Sequence, residues 1–126
     1  MKFQPDTFAG TNAISRHEPG AVWVNNQRFE GSLLVPWKGV VRPWSAQGHA
    51  TLTAEHFSEV LALKPELVIF GSGARLRFIS AALYRCLIDA RVGFETMDTA
   101  AACRTYNVLA AEGRSVVAAL LPGSVD

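Results

Sequence analysis

The stretch Met97-Asp-Thr-Ala-Ala-Ala-Cys-Arg-Thr-Tyr-Asn107 holds the densest set of reactive side chains in the chain, with a carboxylate at Asp98, a thiol at Cys103 and a guanidinium at Arg104. Asp98 stands directly before a helical pattern, where an Asp usually accepts from backbone N–H groups as an N-cap. Cys103 is the one nucleophile of the region. It sits more than a turn inside the helix, where the dipole's effect on a thiol has decayed, and no histidine is near it in sequence. Cys-His catalysis is therefore unsupported, and no catalytic residue is assigned.

A second stretch, Gly71-Ser-Gly-Ala-Arg-Leu-Arg77, follows an apolar run. It fails the dinucleotide fingerprint, because Leu76 stands where the third glycine belongs, and it lacks the Gly-Lys-Ser/Thr ending of a phosphate loop. The structural reading of Gly71 and Gly73 is a turn that needs positive φ after a strand. The chemical reading is an anion site, in which helix N-terminal N–H groups beside Arg75 and Arg77 meet a phosphate or carboxylate. Arg104 lies ~9 Å along its helix from Asp98 at ~1.5 Å per residue, close enough to join that edge or pair with Asp98. The candidate ligand set is Gly71, Gly73, Arg75, Arg77, Asp98 and Arg104.

Other chemistries fall away. His17, His49 and His56 form no metal-type spacing, and the two cysteines, Cys86 and Cys103, form none either. Glu18, Glu30, Glu95 and Glu112 give no paired-carboxylate pattern, and there is no Gly-x-Ser-x-Gly elbow. With 12 basic and 11 acidic residues the net charge is +1, which offers little phosphate attraction for nucleic acid. No metal and no cofactor is expected. The start of the chain lacks a secretory pattern, and the longest apolar run, Val116 to Leu121, is far short of the ~18 residues of a membrane span. Reduced thiols and a cytoplasmic location are expected.

The elements that must position these residues follow from pattern. At 126 residues, 49% hydrophobic and 18% charged, the chain fits one domain. Residues 1–19 lack a period and read as an arm that Phe3, Phe8 and Ile14 could tether; residues 20–126 form the domain. Val22-Trp-Val24 and the run from Phe29 through Leu33-Leu-Val35 read as a hairpin around Asn25-Asn-Gln27. A short edge strand is expected at Val40-Val41, and Trp37 and Trp44 read as core or rim. Thr53 opens a helix whose inner face is Phe57, Val60 and Leu61, ending before Lys64-Pro65.

Beyond Pro65 the chain alternates: strand 67–70, helix 80–91, strand 92–97, helix 99–112, and a final strand 116–121. That alternation implies right-handed crossovers and mainly parallel pairing. The expected fold class is α/β, a single three-layer domain with a mixed central sheet, helices on its faces and an N-terminal antiparallel hairpin. Helix 80–91 has the inner stripe Leu83, Cys86, Leu87 and Ala90. On helix 99–112, Ala101, Ala102, Thr105, Val108 and Leu109 are expected to face the sheet. The opposite face, with Cys103, Asn107 and Ala110, is small and uncharged, so another segment of the chain or another molecule should cover it.

Taken together, Leu67-Val-Ile-Phe-Gly-Ser-Gly73, the block from Met97 to Asn107, Glu112-Gly-Arg114 and the ending Val116 to Pro122 resemble the family of small proteins that includes mitochondrial complex I assembly factor 3. The resemblance is strong over roughly the C-terminal half and looser over the hairpin with Trp44. It implies a compact three-layer α/β domain whose relatives act by protein contact with no established enzymatic activity; with no mitochondrial presequence expected, the chain looks like a bacterial cytoplasmic member. The leading expectation is a non-catalytic interaction or assembly protein using Cys103, Asn107 and Ala110. The alternative is a binding protein or enzyme for a small anion. A protein partner is expected, with a homo-oligomer and a small anion as further candidates and neither nucleic acid nor membrane insertion.

Overall fold

The structure is a computed structural model that describes residues 10–125. The arm residues Phe3 and Phe8 lie outside the described residues. A five-stranded mixed sheet organises the rest. Its strands are β4 (Leu33–Pro36), β5 (Arg42–Pro43), β6 (Leu67–Gly71), β7 (Gly93–Met97) and β8 (Val116–Leu120), in the order β5-β4-β8-β6-β7. β6 pairs parallel with both β7 and β8, while β4 runs antiparallel to β8 and β5. A separate antiparallel meander holds β1 (Ile14–Glu18), β2 (Ala21–Val24) and β3 (Gln27–Glu30). The helices are α1 (Ala54–Leu61), α2 (Arg85–Asp89) and α3 (Thr99–Ala111).

Side chains alternate across a strand, and here the alternation sorts two cores. Leu33, Val35, Ile69, Val116, Ala118 and Leu120 face α3 and the meander. Leu34, Val68, Phe70, Val117, Ala119 and Leu121 face α1, α2 and the edge-to-face ring cluster of Trp44, Phe57 and Phe70. Three layers result. The strand order explains the division: β6 to β7 steps outward through α2, and β7 to β8 steps back past β6 through α3. Crossovers of one hand then place the two helices on opposite faces.

Several elements depart from expectation. Ile14–Glu18, read as arm, is a strand, because its backbone completes the meander along β2. The hairpin turn is where it was expected, with Asn25 and Asn26 at φ 53° and 70°. Its second strand ends at Glu30, however, and Leu33–Pro36 leaves for the main sheet after Gly31 at φ 79°. The edge strand falls at Arg42–Pro43 rather than at Val40-Val41. Helix 80–91 shrinks to Arg85–Asp89. Leu83 and Tyr84 donate to carbonyls three residues back, and these tight turns lay the Tyr84 ring flat on Phe94 at 4.0 Å.

The faces of α3 are rotated from those expected. Thr99, Ala102, Cys103, Tyr106 and Ala110 are buried, a helical 3–4 spacing that points at the sheet, whereas Val108 is exposed and Ala101 and Thr105 are half-exposed. Tyr106 decides the rotation. It is the largest fully buried side chain, and its hydroxyl lies within donating distance of the carbonyls of Asn12 at 2.9 Å and Pro36 at 3.1 Å.

Candidate functional site

In open α/β sheets a ligand lies beyond the carboxyl ends of strands whose following helices diverge. Here that place is the end of β6 and β7, and Gly71 to Arg77 and Asp98 are both there. The chain's own hydrogen bonds occupy part of it. The Ser72 N–H donates to the Met97 carbonyl at 2.8 Å. The Ser72 hydroxyl lies 3.0 Å from the same oxygen and 2.7 Å from the Arg75 carbonyl, and it accepts from the Arg77 N–H at 3.0 Å. Thr99 makes a second stitch, its hydroxyl accepting from the Gly73 N–H at 2.9 Å and donating to the Leu121 carbonyl at 2.7 Å.

Three N–H groups at the start of α3 are used in the same way. Thr99 N–H goes to the Gly73 carbonyl at 2.9 Å, Ala101 N–H to the Asp98 carboxylate at 2.8 Å and Ala102 N–H to the Asp98 carbonyl at 2.9 Å. Asp98 is thus an N-cap. Beside this edge lies a cavity of about 370 Å³ lined by His17, Glu18, Gly73, Asp98 and Thr99 among others. Its walls carry two carboxylates and none of Arg75, Arg77 or Arg104, which is the wrong sign for a phosphate. None of the three arginines of the candidate anion set lines this cavity. Arg104 is exposed on α3, and Arg75 and Arg77 belong to the loop leaving β6.

Both glycines are there for close approach. A Cβ on Gly71 would lie 2.9 Å from Leu120 Cδ2 and 3.1 Å from the Thr99 Cα, so α3 could not sit as closely on the sheet. Gly73, at φ 111°, would place a Cβ 2.5 Å from the Val125 carbonyl oxygen. That contact belongs to a tail that returns over the edge. Ala74 N–H donates to the Val125 carbonyl at 2.7 Å, and Ser124 N–H donates to the Pro19 carbonyl at 2.9 Å in the turn between β1 and β2.

The interaction set also turns inward. Cys103 is 1% exposed, so its side chain does not meet an outside molecule in this fold, and Ala110 is buried at 6% exposure on the wall of a groove. Burial pushes the Cys103 thiol up to about 12 although Arg104 is next to it, which makes it a small hydrophobe rather than a nucleophile. Asn107 is half-buried and makes a two-way clasp with β1: its amide oxygen accepts from the Ile14 N–H at 2.8 Å and its amide nitrogen donates to the Ile14 carbonyl at 2.7 Å. The cover expected for this face is thus the chain's own meander. Next to the clasp a groove of about 470 Å³ runs between Trp37, Lys38, Asn107 and Ala110. The Trp37 indole N–H donates to the Ala110 carbonyl at 3.1 Å, and the Lys38 ammonium lies 4.5 Å from the ring centre.

Sequence reasoning passed over Ser72, Thr99, Tyr106 and Asn12. Ser72 between two glycines and Thr99 directly after an N-cap were readable as loop stitches. Asn12 gave no such signal: its amide reaches the Pro36 and Gly39 carbonyls, both at 2.9 Å, more than twenty residues along the chain.

These features define a small α/β domain in which the hydroxyls, thiol and N-capping carboxylate of the expected site are absorbed into the fold. The chain belongs to the family described as protein of unknown function (DUF498/DUF598), matched over residues 14–121. It is similar to NADH dehydrogenase (ubiquinone) 1 alpha subcomplex assembly factor 3 of Danio rerio, at 30% identity over 121 residues, covering 94% of this chain and 68% of that protein. It is also similar to an uncharacterized protein of Rhodobacter capsulatus, at 36% identity over 115 residues, covering 91% of this chain and 88% of that one. Among solved structures, a Mth938-like domain from Bordetella pertussis aligns with a TM-score of 0.84 at 31% identity, covering 100% of this chain and 95% of that chain. The chain spans about half to two thirds of the length of the assembly-factor relatives it matches. Among the described residues no helix is long and apolar enough to cross a membrane.

Proposed function

We propose that this chain is a non-catalytic protein that works by contact with other proteins, assisting the assembly of a respiratory NADH dehydrogenase. The observation that carries the reading is its kinship with proteins named as assembly factors for that complex. The chemistry of the sheet edge agrees, since Ser72, Thr99 and Asp98 spend their side-chain oxygens on hydrogen bonds within the fold and Cys103 is buried. Cys86 and Cys103 are free thiols, which supports a reducing compartment and hence the cytoplasm.

Deleting the gene in the organism of origin should lower the amount of fully assembled NADH dehydrogenase on native gels and its NADH-oxidising activity in membranes. The intact chain should restore both. Normal assembly in the deletion strain would overturn the reading.

A further inference from the structure

A strand at the side of a sheet leaves alternate residues with their backbone N–H and C=O groups unpaired. Among the described residues β1 and β3 flank the meander, and β5 and β7 flank the main sheet. Three of these sides are unsuited to a second copy. β5 is two residues long and ends in Pro43, which has no N–H to give. β1 is clasped at both backbone groups of Ile14 by Asn107. On β7 the Gly93 N–H and the Met97 carbonyl bond inward, so Phe94 and Thr96 turn outward, and antiparallel self-pairing would set Glu95 against Glu95.

β3 differs. Asn25 and Asn26 make a two-residue turn at positive φ, with Val24 and Gln27 as the pair that flanks it. The residues flanking such a turn exchange both their backbone bonds. Alternation then turns the backbone of Gln27 and Phe29 toward β2 and that of Arg28 and Glu30 away from it. Among the described residues no strand takes those outward groups.

A second copy laid antiparallel and centred on Phe29 matches them. Arg28 of each copy then stands opposite Glu30 of the other, each pair exchanging both N–H···O bonds with opposite charges facing. Centring on Arg28 or on Glu30 would face like charges, and a shift by one residue would lose the backbone match. Arg28 and Glu30 already pair along their own strand, with side chains 51% and 68% exposed. The matched register keeps that weak pair and gives each charge a second opposite neighbour. On the other face Phe29 is half-buried, and with Val41 and the exposed Val40 it lines a hollow of about 350 Å³, apolar surface that the Phe29 of a second copy would help to cover.

We infer that this chain forms a two-fold symmetric dimer in which β3 pairs with β3 of a second copy, joining the two meanders into one continuous sheet. The inference goes beyond the assembly role and does not depend on it.

Sedimentation of the full chain at rising concentration tests it, and the mass should move from one chain to two. In the same samples the Arg28 and Glu30 amides should exchange about tenfold more slowly as the dimer fills, while the Phe94 and Thr96 amides of β7 stay unchanged. Glu30→Arg and Arg28→Glu should each be monomeric alone, and an equal mixture of the two should sediment as a mixed dimer, because the 28–30 pairs become opposite again. Circular dichroism melting confirms that both variants are folded. A chain still monomeric at roughly 0.5 mM, a dimer that protects another strand, single variants that dimerise as the unaltered chain does, or a mixture that stays monomeric would each overturn the inference.

Discussion

Cys103 and Tyr106 show what burial does to groups that sequence alone offers as reagents. The thiol is raised from its ordinary 9.0 to about 12, and burial raises the Tyr106 hydroxyl as well. A proton held more tightly in the folded chain stabilises the fold in full below the ordinary value. Above it the unfolded chain ionises first and stability is lost until the folded group also ionises. Stability should thus be level through neutral pH and fall from about pH 9 upward, by ~1.4 kcal/mol per pH unit for each group that ionises only in the unfolded chain. Urea midpoints at pH 7, 9 and 11 would measure this, and Cys103→Ala should flatten the slope. A midpoint that does not change across that range would contradict the burial of both groups.

At the scale of elements, the joint between α3 and the meander depends on few bonds. Asn107 clasps both backbone groups of Ile14, so Asn107→Ala should cost about 1–3 kcal/mol by leaving partly buried groups unpaired. Amide exchange of Ile14 should rise sharply while that of the β6 amides changes little. If β6 loosens to the same degree, the clasp is not local. The parallel strands and the cap of α3 were legible in the sequence, whereas β1 of the meander was not. Runs such as Leu67–Phe70 and Val116–Leu121 have no register in which a polar face could show, and Asp98 before Thr99 announced the start of α3. The faces of α3 were not legible. A small-residue helix has little hydrophobic contrast between its sides, and the residue that settles the matter, Tyr106, is buried through hydroxyl contacts to carbonyls 70 and 94 residues away. The glycine loop was legible as a turn, while its closure by Ser72, Thr99 and Val125 depends on three segments distant in sequence.

For the whole molecule, the C-terminal residues join what the rest of the chain leaves apart. β8 is the strand between β4 and β6, and the tail after it links the Pro19 turn to Ala74. A chain ending at Arg114 should show no cooperative melt by circular dichroism, since its β5-β4 and β6-β7 pairs have no common neighbour and isolated strand pairs are marginal in water. A chain ending at Pro122 should keep the fold and melt cooperatively at a lower temperature, having lost only the tail bonds. Equal melting of the two would show that β8 does not hold the sheet together.

The central position of β8 also sets when the protein can fold during its synthesis. Residues leave the ribosome from the N-terminus, so the meander, both half-sheets and α1, α2 and α3 are made before the strand that unites them. Until Leu120 emerges, the edges of β4 and β6 that later pair with β8 are open, and open edges recruit foreign strands. A cell making this protein must shelter those open edges until β8 is translated, so a stall just before Val116 is more hazardous than one before β4 is made.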